Sequence, residues 1–588
     1  MSASATVRWI SGPVLRAQAE GPFALREAVL VGDARLLGEV VRIVDDEIVV
    51  QVYEDTTGLR PGTPVRGTGA PLSIPLGPGL LGRMFDGLLR PLSTVDAYVQ
   101  PGMRRASVAR FEFVAGVGIG DRVDRGTVLG EARSRGVAPQ AVLVPPDVGG
   151  TAIEVKPPGE YGEDETVCRV KLDNGAERSL AMCHEWPVRT PRPIARRLPS
   201  IAPLVTGQRI LDGLFPVALG GRAAIPGGFG TGKTVLLEAL AKGCNADVIV
   251  YLGCGERGNE MAGVLEEFPA LTDPRNGRPL MERTVIIANT SNMPVAAREA
   301  SIYAAITVAE YFRDQALHVA LMADSTSRWA EALREVSGRF GELPGEGGYP
   351  AYLSSRIADF YERAARVEPL CGGTGSVTLI GAISPPSGDF SEPVTSHTKR
   401  YVKAFWALDV KRAQARFYPA IHPLQSYAAD TREFAPWWTT AGNPQWPRQR
   451  QRFLTLLDEE ARLERMARII GRDALPERQQ LTLLCAGLVN DAFLRQSAFS
   501  DNDRVCTPAR QAAMMRLLDR FCDLAEAALA AGVTPAVMAQ MQCIRPLQRM
   551  GEDIPDAELE RFDALQAALE REFAAATEQA KVPDAAHG

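Results

Sequence analysis

Histidine is scarce in this sequence and cysteine is unorganised, and both facts narrow what the chain can do. The five histidines (His184, His318, His397, His422, His587) form no cluster with metal-ligand spacing. The nine cysteines are scattered without a C-x-x-C pair. Their odd number points to reduced thiols in the cytosol rather than a disulfide scaffold. No apolar run approaches the ~18 residues of a membrane span. The opening Met1-Ser2-Ala3-Ser4-Ala5 has neither the charged start nor the apolar core of a secretion signal. Strong charge of either sign is also missing: a net −6 over 588 residues offers no global attraction to nucleic acid or anionic lipid, although a local basic patch stays open.

What is present is the composition of an ordinary soluble protein, 46% hydrophobic and 23% charged, long enough for about three to five domains with cores of their own. One stretch organises the rest. Residues 227–234 read G-G-F-G-T-G-K-T, a full match to G-x-x-x-x-G-K-[ST]. Gly227, Gly228, Gly230 and Gly232 let the backbone turn its N–H groups toward phosphate oxygens. Lys233 brings a compact positive charge to the β- and γ-phosphates, and the Thr234 hydroxyl is a hard oxygen ligand for Mg²⁺. Phe229, Thr231 and Val235 complete the segment around the nucleotide. The apolar run after Lys233 predicts a helix whose N-terminus faces the pyrophosphate. A Gly-rich turn ahead of a core helix would not require the Lys-Thr pair at this position. The chain is expected to bind a nucleoside triphosphate.

Around that loop the sequence predicts a multidomain α/β protein. Over 1–70, short β-rich runs separated by turn signals predict a small N-terminal barrel. An oligonucleotide-binding barrel fits this spacing, but aromatic and basic residues are sparse here, which favours a structural collar. Residues 71–110 read as a connector and the start of the nucleotide domain. Over 111–190 a second β-rich module is expected, with turns (120–130, 157–161) resembling those of a lipoyl-type flattened barrel. No lysine stands at a clear hairpin tip, and Lys156 lies beside Pro157-Pro158, so a structural or docking module is expected rather than a carrier. Residues 191–430 alternate short apolar strands with helical stretches, the pattern of a parallel sheet flanked by helices; candidate strands are 248–252, 284–288, 319–322, 377–383 and 405–408. From 431 to 588 apolar residues recur at helical spacing (450–470, 479–495, 508–530, 559–577), predicting a helical domain whose last residues, 583–588, fray.

Two strand ends carry the residues that hydrolysis requires. The run 248–252 leads into Gly253-Cys254-Gly255-Glu256-Arg257-Gly258-Asn259-Glu260. Ligands sit at the carboxyl ends of strands in such sheets, so Glu256 is placed to orient the attacking water, Arg257 to hold charge on the transferred phosphoryl group, and Glu260 to reach a water on Mg²⁺. The run 317–323 ends at Asp324, the expected metal-side carboxylate. Arg328 reads equally as a phosphate contact or an interface ion pair. Tyr418 and Phe499 are candidates to stack on the base, although on local sequence alone each is more often a core aromatic.

GGFGTGKT, GCGERGNE, the stretch 320–353 (ALMADSTSRWAEALREVSGRFGELPGEGGYPAYL), GDFSEPVT, FWALD and YPAIHPLQSY together resemble the catalytic A subunit of V-type/A-type rotary ATPases, over almost the whole chain. The resemblance includes the insertion before the nucleotide domain that sets these proteins apart from F-type β subunits. It implies an enzyme that hydrolyses or synthesises ATP with Mg²⁺ and ATP/ADP as the bound pair. It also implies a hexamer alternating with non-catalytic B-type subunits, central-stalk and peripheral-stator partners, and a membrane sector that moves H⁺ or Na⁺. The expected place is the cytoplasmic face of a membrane, with no nucleic acid involved. By position, Lys233 and Thr234 become the phosphate and Mg²⁺ contacts, Glu256 the catalytic carboxylate, Arg257 a γ-phosphate contact, Asp324 the metal-side aspartate, and Tyr418 and Phe499 the residues flanking the base. Gly228 departs from the family's usual Pro or Ala, Ala428 from a commoner Ser, and Thr231 from the Cys of some eukaryotic relatives, so a redox lock at that thiol is not expected. Two other classes share parts of this pattern. A Rho-like RNA translocase calls for basic and aromatic channel loops and RNA-stimulated turnover, and a non-hydrolysing assembly protein for nucleotide binding without phosphate release.

Overall fold

A computed structural model describes residues 3–92, 102, 109–134 and 136–581; the frayed tail expected at 583–588 lies outside them. The chain forms two compact units, one made of Met1–Ser200, Leu219–Ala224 and Ala246–Val402, the other of Ile201–Ala218, Ile225–Asn245 and Lys403–Gly588.

The first unit begins with the expected barrel. Six strands close on themselves in the order Ser4–Ser11, Val14–Ala19, Glu47–Val52, Leu36–Val44, Glu27–Val31, Pro64–Pro71, and the last pairs antiparallel with the first. Alternation along each strand sends Val7, Leu15, Val29, Val40, Val50 and Val65 inward, where all are fully buried. Closure removes the free edges that such short strands would otherwise expose. The β-rich module follows as two four-stranded antiparallel sheets that share a core of Phe111, Phe113, Leu129, Val142, Val167 and Val170. Lys156 pairs with Glu154 at 3.2 Å, and its backbone N–H donates to Val167, so it is tied into the module's own structure.

The rest of this unit is a parallel sheet in the order Gly375–Ile383, His318–Asp324, Val248–Glu256, Thr284–Thr290, Met84–Asp86. Its central strands are buried throughout, which is why they read as continuous apolar runs rather than alternating ones. The edge strand Met84–Asp86 comes from a segment read as a turn-rich connector; three residues are too few to show a period. The helix Val295–Arg313 packs on the sheet and is buried along almost its whole length.

In the second unit the phosphate loop runs into the helix Lys233–Gly243. The expected strand at 405–408 shortens to Ala404–Phe405, paired with Tyr427–Ala428; beyond it Leu408 donates to the Pro226 carbonyl and forms an isolated bridge with Ile421. The helical domain is built on Trp446–Ile470, Glu477–Leu488, Pro508–Ala530 and Glu560–Lys581. A single π turn, Val489–Leu494, extends the second of these. Trp446 reaches back through its indole N–H to the Gly213 carbonyl at 3.0 Å and stacks on Trp438. Among the described residues no helix is long and apolar enough to cross a membrane.

Candidate active site

The loop in the second unit has the geometry its glycines permit. Gly230 and Gly232 take φ of 74° and 84°, conformations a β-carbon makes costly, and Gly232 stands as the left-handed cap of the helix that starts at Lys233. Gly227 is required for a different reason: a β-carbon there would lie 2.6 Å from Thr231 Oγ1 and 2.8 Å from Leu408 Cβ. The Thr231 hydroxyl donates to the Gly228 carbonyl at 2.8 Å and braces the turn. Lys233 Nζ donates to the carbonyls of Gly227 (2.9 Å) and Gly228 (3.1 Å). The ammonium is thereby held over the concave face of the loop, and Thr234 follows on the first helical turn. Phe229, at the crest, is 82% exposed.

The same loop opens into a cavity of about 800 Å³ that Gly230, Thr231, Gly232 and Val235 line together with Tyr418 and Phe499. The fold therefore brings both aromatic candidates to the phosphate loop, although they lie far from it in sequence. The Tyr418 hydroxyl is buried without a hydrogen-bond partner among the described residues, and burial, reinforced by Glu238, pushes its acidity well below that of a free phenol. Phe499 is fully exposed on the cavity wall. A polar tip left unpartnered beside a roomy cavity, and a bare ring on the wall of the same cavity, suit a flat heteroaromatic ligand.

Sequence reasoning missed the device that holds Phe499 in place. Arg209 is buried and ion-paired with buried Asp503. Its Nε also donates to the Phe493 carbonyl at 2.8 Å. Gln496 accepts from the Arg209 backbone N–H at 2.8 Å and donates to the carbonyls of Gly207 and Asp503, each at 2.8 Å. The loop bearing Phe499 is thus fastened at both ends to the segment that precedes the phosphate loop. Buried arginine is rare enough to signal a role, but nothing in the sequence names its partner.

In the first unit, Glu256 and Asp324 stand at the carboxyl ends of adjacent parallel strands, with Gly253 opposite Asp324 in the register. Asp324 is 2% exposed, and its peptide bond to Ser325 is cis. Burial, then the charge of Asp324, then the hydrogen bond and charge of Glu260 push the Glu256 carboxyl up to about 8, and Arg328 opposes them. Arg328 itself pairs with Glu331 on its own helix at 3.0 Å. Arg257 is exposed at the start of the helix Gly258–Glu267. Burial and the neighbouring carboxylates disfavour ionisation of Glu256, and a divalent cation beside it relieves that penalty, so these oxygen donors fit Mg²⁺. Among the described residues no group of three His, Cys, Asp or Glu is arranged to hold a metal alone.

This loop, helix and cavity define a P-loop nucleotide-binding protein. Four family models match along the chain: the ATP synthase alpha/beta family beta-barrel domain at residues 7–69, the ATPsynthase alpha/beta subunit barrel-sandwich domain at 105–189, the ATP synthase alpha/beta family nucleotide-binding domain at 207–428, and the C-terminal domain of V and A type ATP synthase at 435–536. The chain is 48% identical to the A subunit of the A-type ATP synthase of Methanopyrus kandleri, over 97% of this chain and 98% of that one. It is 50% identical to its counterpart in Thermococcus onnurineus, over 92% and 94%, and 46% identical to the V-type ATP synthase alpha chain of Halothermothrix orenii, over 97% and 98%. In fold it is similar to the assembled ATPase EscN of the enteropathogenic E. coli type III secretion system, with a TM-score of 0.63 and 22% identity over 87% of this chain and 99% of that one. The chain belongs to the family formed by the A subunits (alpha chains) of A-type and V-type ATP synthases. These relatives support neither the RNA-translocase reading nor that of a non-hydrolysing assembly protein.

Proposed function

We propose that this chain is the catalytic component of a rotary A-type or V-type ATP synthase, interconverting ATP with ADP and phosphate in step with H⁺ or Na⁺ movement through membrane subunits. The observation that carries the reading is the phosphate loop, with Lys233 and Thr234 at a helix N-terminus, opening into one cavity with Tyr418 and Phe499.

In this reading the backbone of 227–232 and Lys233 hold the β- and γ-phosphates, and Tyr418 and Phe499 flank the base. Glu256 orients the attacking water, as a carboxylate at a strand end can, and Arg257 stabilises charge on the transferred phosphoryl group. Thr234 binds Mg²⁺, with Asp324 and Glu260 acting on it directly or through water. Bound there, Mg²⁺ neutralises the charge of the phosphate oxygens. The domains run 1–70, 71–110, 111–190, 191–430 and 431–588. The partners are B-type subunits alternating with this chain in a hexamer, with central-stalk and stator subunits, on the cytoplasmic face of a membrane. An arginine from the neighbouring B-type chain completes the charge on the transition state, a contribution of about 10³–10⁵-fold where such residues have been removed.

The test is Glu256→Gln in the assembled complex. The substitution keeps shape and removes charge, so turnover drops about 10²-fold or more while binding of MgATP persists. Near-normal turnover would refute the assignment of Glu256. The isolated chain should bind ATP and turn it over slowly, with large activation on adding the B-type partner.

A further inference from the structure

Away from the phosphate loop, the first unit holds a cavity of about 520 Å³ between the barrel and the nucleotide-domain helices Val295–Arg313 and Leu353–Glu362. A second cavity of about 320 Å³ adjoins it, and Arg26, Arg189 and Arg356 line both. Guanidinium groups dominate the walls, and most are already engaged. Arg189 is held between Glu39 (3.2 Å) and Glu299 (2.8 Å). Arg192 pairs with Asp314 and Arg363 with Glu310, each at 2.6 Å. Those deep pairs balance one another.

Arg26 and Arg356, which line both cavities, are different. Among the described residues neither Arg26 nor Arg356 has a carboxylate partner within ion-pair distance, and Arg356 makes only a cation–π contact with Tyr352 at 5.6 Å. Asp359 and Glu362 also line the cavity; like Arg26 they are exposed, so water screens all three charges alike. The third feature is Tyr303. Its ring is 4% exposed, packed edge-on against Trp329 and capped by the Arg189 guanidinium at 4.7 Å. Its hydroxyl is buried with no hydrogen-bond partner among the described residues. A buried hydroxyl left unsatisfied is costly unless something fills the adjoining space and accepts from it.

We infer that this cleft binds a phosphate-class oxyanion, gripped by the Arg26 and Arg356 guanidiniums, with the Tyr303 hydroxyl donating to a third oxygen. Planar guanidinium donors match the edges of a tetrahedral oxyanion; Arg189 is already neutralised by Glu39 and Glu299, so the attraction rests on Arg26 and Arg356. The space exceeds what free phosphate needs, so the phosphate of a nucleotide fits as well. Nothing in the catalytic reading uses Arg26, Tyr303 or Arg356, so the inference stands apart from it.

The experiment uses the full chain carrying Lys233→Ala, which removes the phosphate-loop ammonium, and titrates it calorimetrically with inorganic phosphate and, separately, with ADP without Mg²⁺. Phosphate binding is expected to survive Lys233→Ala. It should weaken at least about tenfold when Arg356→Gln is added, and about tenfold with Tyr303→Phe, which keeps the ring and loses one hydrogen bond to a charged group. Arg26→Gln, at an exposed position, serves if Arg356→Gln does not fold. Tighter binding of ADP with the same dependence on Arg356 assigns the ligand to a nucleotide phosphate, and equal or weaker binding assigns it to the free anion. Absence of binding by both, or affinity unchanged in all three variants, overturns the site. Variants that keep their phosphate affinity but fail to assemble show instead that these arginines serve an interface with another chain, which also overturns it.

Discussion

Replacing Asp503 by Asn should destabilise the unit that contains it far more than a change of one atom suggests. The Asp503 carboxylate is 3% exposed. It accepts from Arg209 and, at 2.6 Å, from the backbone N–H of Ser497. Asparagine keeps the shape but leaves the Arg209 guanidinium, 1% exposed, without a countercharge. Breaking a buried pair from one side costs about 3–5 kcal/mol. Arg209 retains the carbonyls of Phe493 and Arg495, which places the expected loss near the lower end, about 3 kcal/mol. At about 2–4 °C per kcal/mol for a unit of this size, the calorimetric transition should fall by about 6–12 °C. The double replacement Arg209→Met with Asp503→Leu removes both charges together, so it should cost less than the sum of the single changes by at least about 1 kcal/mol. The loop carrying Phe499 loses its fastening in either case, and affinity for ADP should fall with stability. A shift under about 2 °C for Asp503→Asn, or strict additivity in the double variant, would refute the reasoning.

Phe499→Ala removes an exposed ring, so stability should hold while affinity for MgADP drops about 5–30-fold, the worth of one base–aromatic stack; pyrophosphate affinity should stay the same, and equal loss for both ligands would place Phe499 outside the base site. His184 is held down to about 3 by burial and by the Arg192 and Arg178 charges, below its ordinary value near 6.5. It stays neutral in the fold while the unfolded chain takes up a proton, so its contribution to stability is full above pH 6.5 and is lost as pH falls from there toward 3. With only five histidines, ¹³C-histidine NMR can assign it, and titration near 6.5 would contradict the burial.

The site was legible where its chemistry is local. Eight consecutive residues encode the phosphate loop, because the turn, the lysine and the helix start are contiguous and each residue type answers a constraint of its own backbone. The strand ends at Glu256 and Asp324 were legible for a related reason: a strand buried on both faces writes itself as an apolar run, and the first carboxylate after it marks the end. The closed barrel was readable as short strands, although two of its six, Val14–Ala19 and Pro64–Pro71, carry too little apolar alternation to stand out.

What the sequence could not give is whatever depends on partners far along the chain. Met84–Asp86 is a strand only because Thr284–Thr290 offers it an edge. Arg209 and Asp503 lie 294 positions apart, and neither has a local pattern that names the other. Tyr418 shows where the limit falls. As a sequence position it reads more often as core than as ligand contact, because a partly buried ring is common to both. What the surroundings add is the cavity: the hydroxyl of the core residue Tyr361 also lacks a partner among the described residues, whereas that of Tyr418 adjoins the open space lined by the phosphate loop. Tyr303 in the first unit shares the unpartnered hydroxyl and the adjoining cavity, which is the pair of observations the oxyanion inference starts from.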